Sequence, residues 1–242
     1  MPEKLLEIVD LKARYGQAQI LFGLSLFVGR GEVVALMGRN GAGKSTTLKA
    51  LMGLLAGTQG EIRFMGESIA NTPSYRIAKR GMGYVPEDRR IFTDLTVAEN
   101  LDCGRQPPRL WPDGTPAPFW TEEKLYRLFP NLGEMPSRMG GHMSGGEQQM
   151  LTVARTLMGN PFLVLLDEPS EGVAPIIVEQ MAAMIGELKA SGVSILLSEQ
   201  NVHFARAVSD RVYVLEKGQI QFSGTMAELD EAEDVKRSYL TV

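Results

Sequence analysis

The chain opens with apolar runs at residues 5–11 and 20–28, broken by single polar positions such as Glu7 and Asp10. A turn at Gly29-Arg30-Gly31 then leads into a third run at 32–37. Short apolar runs bounded by turn residues predict strands, so the start of the chain is expected to be β-rich and antiparallel. The spacing becomes helical over 44–55, returns to a strand over 60–66 and gives a short core strand over 83–86. Helices are predicted at 96–101, 121–129 and 145–158. Beyond them, apolar runs at 162–166, 193–197 and 211–215 are separated by helical segments such as 176–189. Strand alternating with helix is the pattern of a parallel sheet with crossover helices.

This pattern predicts one α/β domain over 1–242, with an N-terminal antiparallel β subdomain and a helical subdomain over about 92–158. Inside the helical region, Pro107, Pro108, Pro112, Pro116 and Pro118 crowd the stretch 106–118. Proline removes amide donors and fixes backbone torsions, so this stretch is expected to be an exposed loop, either an inert excursion or a surface for a partner.

With 242 residues, 44% of them hydrophobic and 22% charged, the composition is that of an ordinary globular protein. The net charge of −4 gives no basic footprint, and no nucleic-acid partner is expected. No run approaches the ~20 apolar residues that span a bilayer, and the start does not read as a signal peptide. Any membrane association is therefore expected through a partner. The single cysteine, Cys103, forbids an intrachain disulfide and reads as a small buried hydrophobe. His142 and His203 lack the spacing of a metal site, and the 13 methionines read as core filling.

The strongest local signal is Gly38-Arg39-Asn40-Gly41-Ala42-Gly43-Lys44-Ser45-Thr46, placed between a predicted strand and a predicted helix. This is the P-loop pattern in the context it requires. Its glycines let backbone amides turn toward an anion, and the helix N-terminus adds a positive dipole end. Lys44 would reach the β- and γ-phosphates of ATP and Ser45 would ligate Mg²⁺. The predicted strand at 162–166 ends in Asp167 and Glu168, the arrangement named Walker B. Asp167 can hold magnesium through its water shell, and Glu168 can orient or deprotonate the attacking water.

A second glycine pair stands in Met143-Ser144-Gly145-Gly146-Glu147-Gln148-Gln149, roughly twenty residues before the Walker B strand. Ser144 and the amides of Gly145 and Gly146, followed by Glu147, form either a second anion site at a helix N-terminus or a plain helix cap. The segment resembles the ABC signature, usually written Leu-Ser-Gly-Gly-Gln. Together with the P-loop and Walker B, it makes the chain resemble the ABC ATPase family over nearly its whole length. The resemblance implies a P-loop NTPase fold with a RecA-like parallel core, and two such domains, same or different, meeting head to tail. ATP on one P-loop is then closed over by the signature of the other domain. It further implies that Tyr15 stacks on adenine and that residues 170–175 form the loop facing the partner domain.

Two positions depart from the family pattern. Glu87 stands where a glutamine touching magnesium is usual, and Gln200 stands where a histidine sensing the γ-phosphate is usual. A carboxylate can still ligate magnesium, whereas glutamine can donate a hydrogen bond but cannot become cationic. Arg89 and Arg90 are read either as a solvated pair or as part of a permease-facing surface. The stretches 84–92, 146–151 and 198–201 resemble ATP-binding subunits of branched-chain amino acid importers. Glu171 resembles the urea and amide branch instead. These resemblances imply a peripheral subunit on the cytoplasmic face of the membrane, working with a second ATPase subunit, permeases and, indirectly, a periplasmic or extracellular binding protein. A non-transport ABC ATPase is the reading of a different class.

Overall fold

The structure, a computed structural model, describes residues 3–240. In chain order the first elements are β1 (Lys4–Tyr15), β2 (Ala18–Gly29), β3 (Val33–Met37), α1 (Lys44–Leu51), β4 (Gln59–Phe64), β5 (Glu67–Ser68), α2 (Ser74–Lys79) and β6 (Met82–Val85). The helices α3 (Val97–Gly104), α4 (Glu122–Leu128), α5 (Pro130–Gly133) and α6 (Gly145–Leu157) follow. The chain then alternates through β7 (Leu163–Asp167), α7 (Pro175–Ala190), β8 (Ser194–Glu199), α8 (Val202–Val208), β9 (Arg211–Glu216), β10 (Gln219–Thr225) and α9 (Met226–Glu231).

Two sheets form. One is antiparallel, in the order β2-β1-β4-β5, and the other runs β10-β9-β3-β8-β7-β6. The pairs β3–β8, β3–β9, β7–β8 and β6–β7 are parallel, as the strand–helix alternation predicts. The edge strand β10 returns antiparallel to β9 and was not anticipated, because its residues alternate between exposed and half-buried and give no apolar run.

The larger sheet is apolar on both faces, so its strands read as continuous hydrophobic runs. Val34, Leu36, Leu163, Leu165 and Leu196 face one core with α1 and the antiparallel sheet, built around Leu6, Ile8, Leu21, Leu24 and Leu48. Val33, Ala35, Met37, Val164, Leu166, Ile195 and Leu197 face the other, which takes Leu151, Ala154 and Leu157 of α6 and Met184, Ile185 and Leu188 of α7. Period-two alternation along each strand thus divides two cores across one sheet. Helix starts follow local chemistry. Thr96–Glu99, Ser144–Glu147 and Thr225–Glu228 form reciprocal capping boxes, and Pro175 occupies the first turn of α7.

Two expectations are corrected and a third is refined. Helix α1 ends at Leu51, with Met52 as its C-cap and Gly53 at φ 64° just beyond, rather than continuing to residue 55. Cys103 is exposed, because it lies on the outer side of α3 while Leu101 takes the core position. The proline-rich stretch is largely an exposed loop, as expected, but it is anchored at a few side chains. Trp111 and Ala117 are buried, and the Trp111 ring lies 4.5 Å from that of Phe162. Arg30 sits 4.0 Å over Trp111 and pairs with Asp113 at 2.9 Å. The Arg109 guanidinium donates to the Lys79 carbonyl at 2.7 Å, and Asn160 Nδ2 donates to the Gln106 carbonyl at 2.7 Å. Prolines predict the absence of regular structure here, but aromatic burial ties the segment to the β2–β3 turn and to the core.

Candidate nucleotide-binding and hydrolysis site

Strand order decides which loops meet. Because β3, β8 and β7 are parallel neighbours, the segments leaving their C-terminal ends emerge side by side at one edge of the sheet, where open α/β sheets bind ligands. Their register places Met37 opposite Glu199 and Asp167 opposite Ser198. The P-loop after β3, the acids ending β7 and Gln200 after β8 are therefore gathered at one place.

The P-loop turns through Gly41 at φ 80° and Gly43 at φ 112°, conformations that side-chain-bearing residues rarely adopt. At Gly38 the reason for glycine is different: a Cβ would stand 2.3 Å from the Leu215 carbonyl oxygen of β9. No side chain caps α1, and its first turn carries no acidic residue, so its leading amides are left to an anion. Lys44 is buried, and its ammonium curls back into the loop, donating to the Gly38 carbonyl at 2.7 Å and the Arg39 carbonyl at 3.1 Å.

The same ammonium lies 3.1 Å from Glu168 Oε1. Glu168 adopts φ 48°, a left-handed conformation that costs a residue with a Cβ roughly 1–2 kcal/mol. Its amide donates both to the Ser198 carbonyl and to Ser198 Oγ at 3.1 Å, which pins the turn. Asp167 accepts from Ser45 Oγ at 2.8 Å and Ser198 Oγ at 2.7 Å on one oxygen, and from the Tyr84 hydroxyl at 3.0 Å on the other. Burial, reinforced by the Asp167 charge and hydrogen bond, pushes the Tyr84 hydroxyl above the usual tyrosine range, so it remains a donor.

A cavity of about 430 Å³ beside this cluster is lined by Asn40, Glu168, Ser170, Glu171, Glu199, Gln200 and Asn201. Burial pushes the Glu168 carboxyl up, but a hydrogen bond with Glu171 and the Lys44 charge outweigh it and hold it below the usual glutamate range. The hydrogen bond shared with Glu168, partial burial and the Glu168 and Glu87 charges push Glu171 up to about 7. Glu199 is buried, which raises its pKa. It accepts from the Ser170 amide at 3.1 Å and from the Gln200 and Asn201 amides at 3.0 Å each, tying the loop after β7 to the loop after β8.

The remaining sequence candidates lie outside the Asp167–Glu168 cluster, with Glu87 near enough for its charge to act on Glu171. Tyr15 is exposed at the end of β1 and shares a cavity of about 420 Å³ with Arg14, Gly16 and residues 54–57 rather than with Glu168 and Gln200. Glu87 is exposed beyond β6. Ser144 and Glu147 bond each other in the capping box of α6, so the plain cap is realised here. The glycines after Ser144 also have a packing reason, since a Cβ on Gly145 would meet Arg89 Nη1 at 2.8 Å and one on Gly146 would meet Ile177 Cγ1 at 2.9 Å.

Residues 21–171 match the ABC transporter family. The chain is 41% identical to the high-affinity branched-chain amino acid transport ATP-binding protein BraG of Pseudomonas aeruginosa, across 98% of this chain and 99% of that protein. The chain belongs to the ABC transporter ATP-binding family. This ABC ATPase is also 36% identical to the lipopolysaccharide export system ATP-binding protein LptB of Haemophilus influenzae, over 98% of its own length and 97% of the relative. Its fold superposes with a TM-score of 0.79 on a nucleotide-free ATP-binding cassette from an ABC transporter, at 27% identity and with 96% and 95% of the two chains covered. A cassette in its ADP conformation gives the same TM-score and identity.

Members of the family bind nucleotide and hydrolyse ATP to power transport, working with transmembrane permease components. The ABC ATPase fits magnesium as well. Ser45 Oγ and an Asp167 oxygen, both hard donors, are in hydrogen-bond contact, and among the described residues no group of three or more His, Cys, Asp or Glu could cage a metal. Magnesium retains waters and phosphate oxygens and needs only such a partial protein shell. Sequence reasoning missed Ser198 and Glu199, although polar residues closing the apolar strand β8 were a visible signal. It missed Tyr84 as the Asp167 donor because that bond crosses strands.

Proposed function

We propose that this chain is the ATP-hydrolysing subunit of an importer for branched-chain amino acids or a related small polar solute. It would sit peripherally on the cytoplasmic face of the membrane as a single ABC domain, with 92–158 as its helical subdomain. The 41% identity with BraG, running end to end in both proteins, carries the reading. In it the backbone of residues 39–46 cradles the phosphates and Lys44 leaves Glu168 to bind them. Ser45, Asp167 and Glu87 hold Mg²⁺, which supplies charge neutralisation when bound. Glu168 orients and deprotonates the attacking water, Gln200 donates to the γ-phosphate and Tyr15 stacks on adenine. Ser144, Gly145, Gly146 and Glu147 close over ATP held by a second subunit.

Permease docking is assigned to the groove of about 610 Å³ between α2, β6 and the α3–α6 region, lined by Tyr75, Tyr84, Phe92, Cys103 and Arg155 among others. Exposed Tyr75 and Phe92 give it the apolar surface that a partner covers. Uptake of radiolabelled leucine by cells lacking this chain, complemented by the parent or by Lys44→Ala, tests the reading. Restoration by the parent alone supports it. Likeness to LptB favours a second reading, energising lipid export, and normal leucine uptake with defective envelope lipid would establish that one instead.

A further inference from the structure

Tyr84 stands between two regions of the chain. Its hydroxyl donates to Asp167 Oδ2 at 3.0 Å, while the residue, half-buried, lines the groove of about 610 Å³ with Tyr75 and Phe92. Register explains the reach. Tyr84 of β6 lies opposite Leu165 of the parallel strand β7, and Asp167, two residues further along, shares the face of Leu165. The two oxygens of the Asp167 carboxylate are held differently. Oδ1 accepts from Ser45 Oγ at 2.8 Å and from Ser198 Oγ at 2.7 Å, so that either serine can hold it if the other is lost. Oδ2 is reached by neither serine and is fixed from the far side by Tyr84, across the strand pair. Asp167 is 1% exposed, so bulk water is not at hand to replace the phenol.

We propose that Tyr84 is a positioning residue for the metal site, its hydroxyl fixing the orientation in which the Asp167 carboxylate meets the magnesium of Mg-ATP. Partners that hydrogen-bond a metal-holding group from behind set its direction, and their loss typically lowers metal affinity by roughly 10–100-fold. A hydroxyl bonded to an ionised carboxylate is among the stronger hydrogen bonds, and without it the carboxylate is free to turn about the oxygen that the two serines hold. The inference rests on the reading of Asp167 given above.

Tyr84→Phe tests this, because it keeps the ring on the groove wall and removes the hydroxyl alone. The full chain, in excess over a non-hydrolysable ATP analogue, is titrated with Mn²⁺ and followed by electron paramagnetic resonance. Parent, Tyr84→Phe, Asp167→Asn and the double variant are compared. Tyr84→Phe is expected to weaken Mn²⁺ binding about tenfold, the low end for an indirect partner, and to raise the Mg²⁺ needed for half-maximal hydrolysis by a similar factor. Affinity for the analogue in EDTA should stay within about twofold of the parent, as should the rate of maleimide labelling at Cys103 on the same groove. Adding Tyr84→Phe to Asp167→Asn should cost less than about twofold more, because no metal-holding carboxylate is left to position. Parental Mn²⁺ affinity in Tyr84→Phe beside weak binding in Asp167→Asn overturns the proposal. So does a full further loss in the double variant, or a fall in metal-free affinity or a change in Cys103 labelling as large as the loss of Mn²⁺, since the hydroxyl would then act through packing. Parental Mn²⁺ affinity in Asp167→Asn overturns the reading of Asp167 itself, and the proposal with it.

Discussion

The Lys44 ammonium stands 3.1 Å from Glu168 Oε1, both groups nearly withdrawn from solvent, at 3% and 8% exposure. The two residues proposed to work on opposite sides of the γ-phosphate thus neutralise each other when they meet directly. A buried pair of this kind contributes little net stability, but removing one partner strands the other.

Lys44→Ala is therefore expected to destabilise the fold by roughly 3–5 kcal/mol at pH 8, where Glu168 must remain ionised. The Lys44 charge helps depress the Glu168 pKa, so the pair's contribution is present above the unfolded glutamate range and fades as pH falls through the folded value. Without Lys44, burial drives the pKa upward and the carboxyl can protonate. The loss should thus shrink toward pH 5, and urea unfolding at the two pH values checks the difference.

How much of this was legible follows from range. Gly41, Gly43 and Lys44 announce a phosphate loop because their spacing is a local property, and the helix cap at Ser144 is local in the same way. Strand positions were legible from apolar runs, yet the neighbours of Asp167 were not. Tyr84, Ser198 and Ser45 reach it from three other elements, and only sheet order and register bring them together. The anchoring of the exposed loop 106–118 was not legible for the same reason, since the tilted contact of Trp111 with Phe162 joins distant positions.

Glu199 gives a prediction that separates binding from chemistry. Its two oxygens accept three amides across two loops, and Glu199→Gln replaces one acceptor with a donor facing an amide. The loops carrying Ser170, Gln200 and Asn201 should loosen while the P-loop is untouched. ATP affinity by fluorescent-nucleotide titration should change less than about threefold, whereas kcat should fall by about tenfold or more.

Ser144 and Glu147 allow the cap and a nucleotide contact to be told apart. Glu147→Ala removes one arm of the box, and Ser144→Ala removes the other arm together with the hydroxyl proposed to meet the second subunit's ATP. Each should lower stability by about 1 kcal/mol, the usual effect of losing an N-cap. Ser144→Ala should weaken ATP-dependent dimerisation in a Glu168→Gln background, read by light scattering, more than Glu147→Ala, whose carboxylate is already held by the Ser144 amide. Equal loss of dimer in both variants would mean that Ser144 acts through the helix cap alone.

Cys103 supplies a built-in reporter for the permease face. It is the single cysteine of the chain, it is exposed, and it lines the groove with Tyr75, Phe92 and Arg155. A maleimide dye should therefore label the isolated subunit at one site and quickly. If a permease segment fills the groove, labelling in the membrane-assembled transporter should slow by at least about tenfold, because reaction requires access of the thiolate to solvent. The Cys103→Ser variant, unlabelled in both states, provides the baseline. Equal labelling rates with and without permeases would place the docking surface elsewhere, and Phe92→Ala, on the same groove, should then leave ATP-driven transport unchanged.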